Sequence, residues 1–185
     1  MGPKLTEWRW ASTRHKRSLL LRGKLLDRKN LSAKAALIDR LWSEKGSGVR
    51  DTVICERDSC WYEQRFFSKA NKNYFGYLLA ARIVGNAIGL VIFQQQKDEL
   101  EILDLLCKPE RLDHSIEWSV GFAARVRCRS VFLWASENLE RFINPAGANK
   151  RRLDLFAASN IFASGPAVDS IRGKWWLTGG DTNFR

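Results

Sequence analysis

The chain is poor in cysteine and histidine and has no long apolar run. Four cysteines (Cys55, Cys60, Cys107, Cys128) and two histidines are spread over 185 residues. No C-x-x-C pair occurs, so the commonest metal and redox spacings are missing. Isolated thiols of this kind read as structural groups in a reducing cytoplasm. No apolar stretch approaches the ~20 residues that cross a bilayer. The N-terminus, MGPKLTEWRWASTRHKR, is charged without an apolar stretch behind it, so it does not read as a secretory signal. The expected location is the cytoplasm. No Ser/His/Asp set, paired-carboxylate spacing, metal cluster or nucleotide-type phosphate loop is visible. His114 sits on the solvent face of an amphipathic helix and His15 in a basic run, and neither marks a site.

What is present is material for a core, and a skewed charge. Hydrophobic residues make up 45% of the chain, with ten Phe and eight Trp. A single domain of this size buries roughly 70% of its unfolded surface, and such a composition argues against wholesale disorder. The net charge is +11. Between Met1 and Arg50, thirteen Lys or Arg stand against four Asp or Glu, a surplus of nine that leaves +2 for everything after. The expected division is a basic N-terminal arm, residues 1–35, and a domain, residues 36–185. Two readings of the arm compete: a contact for nucleic acid or another anionic partner over residues 4–29, or a solvated arm. Trp8, Arg9 and Trp10, followed by Arg14, His15, Lys16 and Arg17, would make a stacking-plus-phosphate patch.

Along the chain, Arg17 to Leu26 fits a hairpin about Arg22-Gly23 or two turns of helix equally well. Ser32 is placed to cap a helix through Trp42, with Leu37, Ile38, Leu41 and Trp42 at three- and four-residue spacing. Glu44 to Gly48 (EKGSG) reads as a break. Asp58 or Ser59 caps a short helix ending at Phe67. From Tyr74 the period becomes that of strands. Tyr74 to Val84 and Ala87 to Gln95 flank Gly85-Asn86, a two-residue hairpin turn, and Leu100 to Cys107 follows as the third strand of a meander. Pro109 suits the first turn of a helix with the apolar arc Leu112, Ile116, Val120, Ala123 and Val126. Ser130 to Ala135 is a buried strand. Glu99 to Ser136 is therefore a strand–helix–strand unit, a parallel pair with a right-handed crossover. Ligands in such units gather where the first strand ends, here at Cys107 to Glu110. Asn138 to Phe156 reads as helix in pieces, broken at Asn144 to Gly147, and 160–171 with 174–178 as one last hairpin. The expected class is α+β, a mixed, mostly antiparallel sheet with one strand–helix–strand crossover.

This element order resembles that of the GNAT acyltransferases, and three motifs sharpen the likeness. Arg57 to Phe66 (RDSCWYEQRF), with Tyr74 downstream, is similar to the R-D-x-x-(aromatic)-x-x-W-R-(aromatic) helix of one branch. That branch is typically found beside bacterial polysaccharide and cell-envelope biosynthesis genes. Ile102 to Leu106 resembles its central strand, in which an aspartate interrupts an apolar run. Trp176 to Asn183 (WLTGGDTN) resembles its terminal W-x-(L/F)-T-x-G-D-x-D signature. There are departures. Gln64 replaces a tryptophan and Asn183 an aspartate. The (Q/R)-x-x-G-x-(G/A) loop, which cradles the coenzyme A pyrophosphate on backbone N–H groups, is matched by Cys107 to Asp113, without a glycine. The N-terminus lacks a convincing version of the family's first strand and paired helices.

The resemblance implies transfer of an acyl group from acyl-CoA, acetyl-CoA included, to an amine or sugar acceptor in envelope or polysaccharide metabolism, without a metal. The alternatives are a non-catalytic GNAT-like binding domain, or a nucleic-acid-associated module using the basic arm. Acyl transfer needs a base, donors for the thioester carbonyl and an acid for the leaving thiolate. Asp104 is the candidate base, because burial beside apolar neighbours raises a carboxyl pKa. Its alternative is a structural carboxylate bonded to backbone or to an arginine such as Arg65. Tyr62, Tyr74 and Tyr77 are the candidate acids, Tyr74 first among them, with aromatic packing as the alternative for all three. Leu105, Leu106, Cys107, Lys108 and Arg111 would hold the cofactor, the two cations as point charges in place of backbone donors. Arg65 and Asp181 would face a small-molecule acceptor, Asp181 otherwise closing the terminal strand. In this fold the strands at 100–107 and 130–135 splay to admit the thioester arm, and a gap filled by side chains argues for a binding domain.

Overall fold

The period-two runs expected from Tyr74 onward form the middle of a larger sheet. The computed structural model describes residues 4–13, 20–46, 52–68, 73–83, 85–144, 146–156 and 173–181. The strands are β1 (Lys4–Ala11), β2 (Leu21–Leu26), β3 (Tyr74–Ala81), β4 (Ala87–Gln96), β5 (Glu99–Cys107), β6 (Ser130–Ser136) and β7 (Ala148–Phe156). They make one seven-stranded sheet in the order β2-β3-β4-β5-β6-β1-β7. Every neighbouring pair is antiparallel except β5 with β6, the pair joined by the crossover. The helices are α1 (Ala35–Gly46), α2 (Ser59–Tyr62), α3 (Leu112–Arg125) and α4 (Glu137–Glu140). Among the described residues no helix is long and apolar enough to cross a membrane.

Local signals explain much of this. Asp58 caps α2 as expected, accepting a hydrogen bond from the Trp61 amide at 2.7 Å, and a π-helical turn, Glu63–Phe67, continues it. Pro109 opens a 3₁₀ turn, Pro109–Arg111, that leads into α3. Ser32 does not cap α1; it begins a 3₁₀ turn, Ser32–Lys34, and the helix runs past Trp42 to Gly46. The Gly85-Asn86 turn is wider than two residues, because β3 already ends at Ala81. In α3, Leu112, Ile116, Val120 and Ala123 are buried as expected, but Val126 is exposed, whereas Ser115, Trp118, Ser119 and Phe122 are buried too.

The basic N-terminal run contributes β1 and β2 to the sheet. β1 lies between β6 and β7, with Trp8 and Trp10 buried on one face and their rings stacked at 6.3 Å. Buried rings offer no platform to nucleic-acid bases; the rest of the expected patch, Arg14 to Arg17, lies outside the described residues. On the other face, Arg9 pairs with Glu7 and Glu99, and Glu7 also accepts from the Trp134 indole and pairs with Arg151. Residues 148–156 form the edge strand β7 rather than helix. The basic residues Lys150, Arg151 and Arg152 there are exposed, as suits an edge that must not recruit another strand. Of the last hairpin, 160–171 lies outside the described residues; Trp175 and Thr178 make single bridges to Val53 and Ala135.

Two apolar layers sandwich the sheet. On the α3 side Trp118 and Phe122 pack with Val91, Phe93, Leu105 and Leu133; on the α1–α2 side Ile38, Leu41, Tyr62 and Phe66 pack with Leu78, Ile92, Leu103 and Leu106. Gly23 of β2 makes room for the α3 layer. A Cβ there would lie 2.2 Å from Trp118 Cζ2, and Trp118 is stacked on Phe122 with ring centroids 5.3 Å apart. Gly23→Val should therefore destabilise the chain by about 1–3 kcal/mol through overpacking. An unchanged urea midpoint, followed by circular dichroism, would refute that contact.

Candidate active site at the parting of β5 and β6

β5 and β6 pair from Glu99–Ser130 to Ile102–Leu133, and no further, although both strands continue. At the same level β5 is bulged against β4: Ile92 faces Asp104 and Phe93 faces Ile102, so Leu103 is the additional residue. The bulge breaks the alternation of β5. Ile102 and Leu105 join the α3-side layer, Leu103 and Leu106 the other, and Asp104 falls out of sequence between them, beside the parting. Bulges redirect side chains in this way.

The three motifs, far apart in the chain, meet at Asp104. Its carboxylate accepts from Arg57 Nε at 3.0 and 3.1 Å, from the Tyr62 hydroxyl at 2.5 Å and from the Thr178 hydroxyl at 3.1 Å. Arg57 also donates to Asp181 Oδ2 at 2.6 Å and to the Cys55 carbonyl at 3.0 Å. The Thr178 amide donates to Asp181 at 2.8 Å. Arg57, Tyr62, Asp104 and Thr178 are fully buried. Asp181 Oδ1 is also buried, with no hydrogen-bond partner among the described residues.

The charge balance reverses one expectation. Burial pushes the Asp104 carboxyl up, but Arg57, Lys45 and the Tyr62 hydrogen bond together outweigh it and hold the pKa below the usual value. Burial and the adjacent Asp104 push the Tyr62 hydroxyl well above its ordinary value, so it remains a donor. Burial disfavours the Arg57 cation, yet Asp104 and Asp181 stabilise it more, and its pKa rises. Asp104 is thus a carboxylate that holds three donors. Its arginine is Arg57, not Arg65. Arg65 Nε instead donates to the Gly180 carbonyl at 2.8 Å. Tyr74 is half-buried, with its ring edge-on to Phe66 at 5.4 Å.

Lys45 had no signal in the sequence, since EKGSG reads as a break. It ends α1 fully buried, donates from Nζ to the Leu105 carbonyl at 3.1 Å, and lies 4.6 Å from the Trp176 ring. Burial first, and the nearby Arg57 second, lower its pKa to about 8. Trp176 belongs to the segment that occupies the parting. The Ser136 amide donates to the Leu177 carbonyl at 3.1 Å, the Leu177 amide donates to Ser136 Oγ at 3.0 Å, and Ala135 bridges Thr178. Gly180 comes so close to β5 that a Cβ would stand 2.8 Å from the Leu103 carbonyl oxygen. The gap between the strands is filled by the chain itself.

The expected cofactor positions divide accordingly. Leu105, Leu106 and Cys107 are buried, and burial raises the Cys107 thiol to about 11. Lys108 and Arg111 are exposed at the head of α3. They line an open groove of about 230 Å³ with Arg40, Glu44, Asn86 and Ile88, in which Lys108 lies 3.6 Å from Glu44.

No family profile and no curated protein matches this sequence. Solved structures do. The chain is similar to a conserved protein from Enterococcus faecalis V583 described as a probable N-acyltransferase, with a TM-score of 0.56 and 16% identity over 82% of this chain and 38% of that one. It is similar to GCN5-related N-acetyltransferases from Anabaena variabilis (TM-score 0.51, 14% identity, 82% and 39% covered) and Kribbella flavida (TM-score 0.50, 15% identity, 82% and 36% covered). It spans less than two-fifths of each of those chains. The mostly antiparallel seven-stranded sheet with its single parallel pair is the GNAT fold.

Proposed function

We propose that the chain is an acyltransferase of the GNAT type, moving an acyl group from an acyl thioester to an amine or sugar acceptor. The observation that carries this reading is the parting of β5 from β6 after Ile102 and Leu133, with Lys108 and Arg111 standing beyond the end of β5. An acceptor in envelope polysaccharide metabolism is supported by the three motifs alone. Coenzyme A fits in part. Lys108 and Arg111 supply positive charge for its phosphates, whereas Trp176, Thr178 and Gly180 stand where a thioester arm between the strands would lie. Asp104 acts here as a positioning residue that ties Arg57, Tyr62 and Thr178 together. Lys45 is the better proton acceptor, because a pKa of about 8 suits proton exchange near neutral pH.

The filled gap favours a second reading, a GNAT-like domain that binds an anionic ligand without acyl transfer. Calorimetry of the chain with coenzyme A, beside thiol release from acetyl-CoA with a panel of amines, separates the two. The acyltransferase predicts saturable heat at about 1 mM ligand or below, and thiol release that Lys45→Met abolishes. No heat at that concentration overturns the acyltransferase, and heat without thiol release favours the binding domain.

A further inference from the structure

We propose that the groove between α1 and the β2–β3 edge of the sheet binds a multiply phosphorylated small molecule, a nucleoside polyphosphate in chemical class. The groove encloses about 500 Å³, within the range of small-molecule sites. Arg22 and Lys24 of β2 line one side and Lys34 and Arg40 the other, over a floor that includes Leu78 and Ala80. The strand register explains the placement. Arg22 stands opposite Ala80 and Lys24 opposite Leu78, on the face that Leu26 turns toward the α1-side core.

Among the described residues no carboxylate lines this groove. Cations on an edge strand have a use of their own, since they discourage pairing with another sheet. That use does not extend to Lys34 and Arg40 across the floor. Arg40 has a helix partner in Glu44 at 3.5 Å, but the pair is exposed and therefore weak. Four like charges around an apolar floor repel one another until an anion enters. The floor adds a surface for the apolar face of a base or ring. Among the described residues no aromatic side chain lines the groove, so the successive bases of a nucleic-acid strand would find no stacking platform there. The groove adjoins Lys108 and Arg111 but does not include them, and the inference stands apart from acyl transfer.

The test is calorimetry of the full chain with ATP and with inorganic tripolyphosphate. Both should bind, ATP more tightly because it also covers the floor. The double variant Lys24→Ser/Lys34→Ser should weaken ATP by about tenfold or more. The control, Lys97→Asn/Arg127→Asn, removes the same charge at two positive-φ turn positions that asparagine tolerates, and should leave binding unchanged. An equal loss in the control overturns the proposal, as does the absence of saturable binding by the unmodified chain. Retention of single-stranded DNA without tripolyphosphate binding also overturns it, in favour of a polymer ligand.

Discussion

Replacing Arg57 by methionine should cost the fold about 3–5 kcal/mol, the usual penalty for removing one partner of a buried ion pair. Arg57 is the shared counter-ion of Asp104 and Asp181, and its guanidinium reaches both carboxylates from a fully buried position. Without it, Lys45 is left as the nearby cation, and it donates to a carbonyl rather than to either carboxylate. Arg57→Lys should restore little, because an ammonium lacks the fork that spans two acceptors. The deficit should depend on pH. In the unmodified chain the Asp104 pKa is lowered on folding, so its stabilisation is present above the unfolded carboxyl value and is lost as pH falls through the lower folded value. In the variant the Asp104 carboxylate is buried with much less compensation and protonates more readily than in the unfolded chain. The gap between variant and parent should then narrow as pH falls from 7 toward 4. Guanidinium midpoints at both ends of that range test it. A cost below about 1 kcal/mol, typical of an exposed pair, or a cost independent of pH, would show that the network does not hold the terminal segment.

That network also marks how far the sequence could be read. β3, β4, β5 and α3 were legible because their signals are local: alternation, a proline in a first helical turn, an amphipathic arc. Asp58 was legible as a cap for the same reason. β1 and β7 were not. The charges of β1 look like those of a solvated arm until Arg9 meets Glu99 and Glu7 meets Arg151, partners far away in the chain. β7 hides its strand character behind the run Lys150-Arg151-Arg152, which an edge position permits. At the site, the apolar neighbours of Asp104 correctly signal its burial. The sign of its pKa shift depends on Arg57, 47 residues distant, which no local pattern reveals. The motifs that carry the resemblance each look weak, and they meet in one hydrogen-bonded cluster. Their residues close the terminal segment against β5 and β6.

Lys45→Met should make the chain more stable at pH 7 and remove a rise in stability at alkaline pH. The lysine is buried, and its folded pKa of about 8 lies below its ordinary value of 10.5. Below pH 8 the ammonium is charged in both states, and the folded chain bears the cost of burying it. Between pH 8 and 10.5 the unfolded chain holds a proton that the folded chain has released, so stability rises with pH. At 1.36 kcal/mol for each pKa unit the full rise is about 3 kcal/mol. Methionine carries no charge, and its cost is the hydrogen bond to the Leu105 carbonyl, about 1–3 kcal/mol if that oxygen finds no water. The net gain at pH 7 is therefore smaller than the rise. Cys107 opposes the trend above about pH 9, since its folded thiol, raised to about 11, keeps a proton that the unfolded thiol loses. The difference between parent and variant removes most of that effect, leaving the part that Lys45 itself exerts on the thiol. Urea midpoints of both proteins from pH 7 to 10 should show the parent gaining on the variant as pH rises. A difference that stays flat would mean that Lys45 titrates as an ordinary surface lysine, and would remove it as the proton acceptor of the proposed acyl transfer.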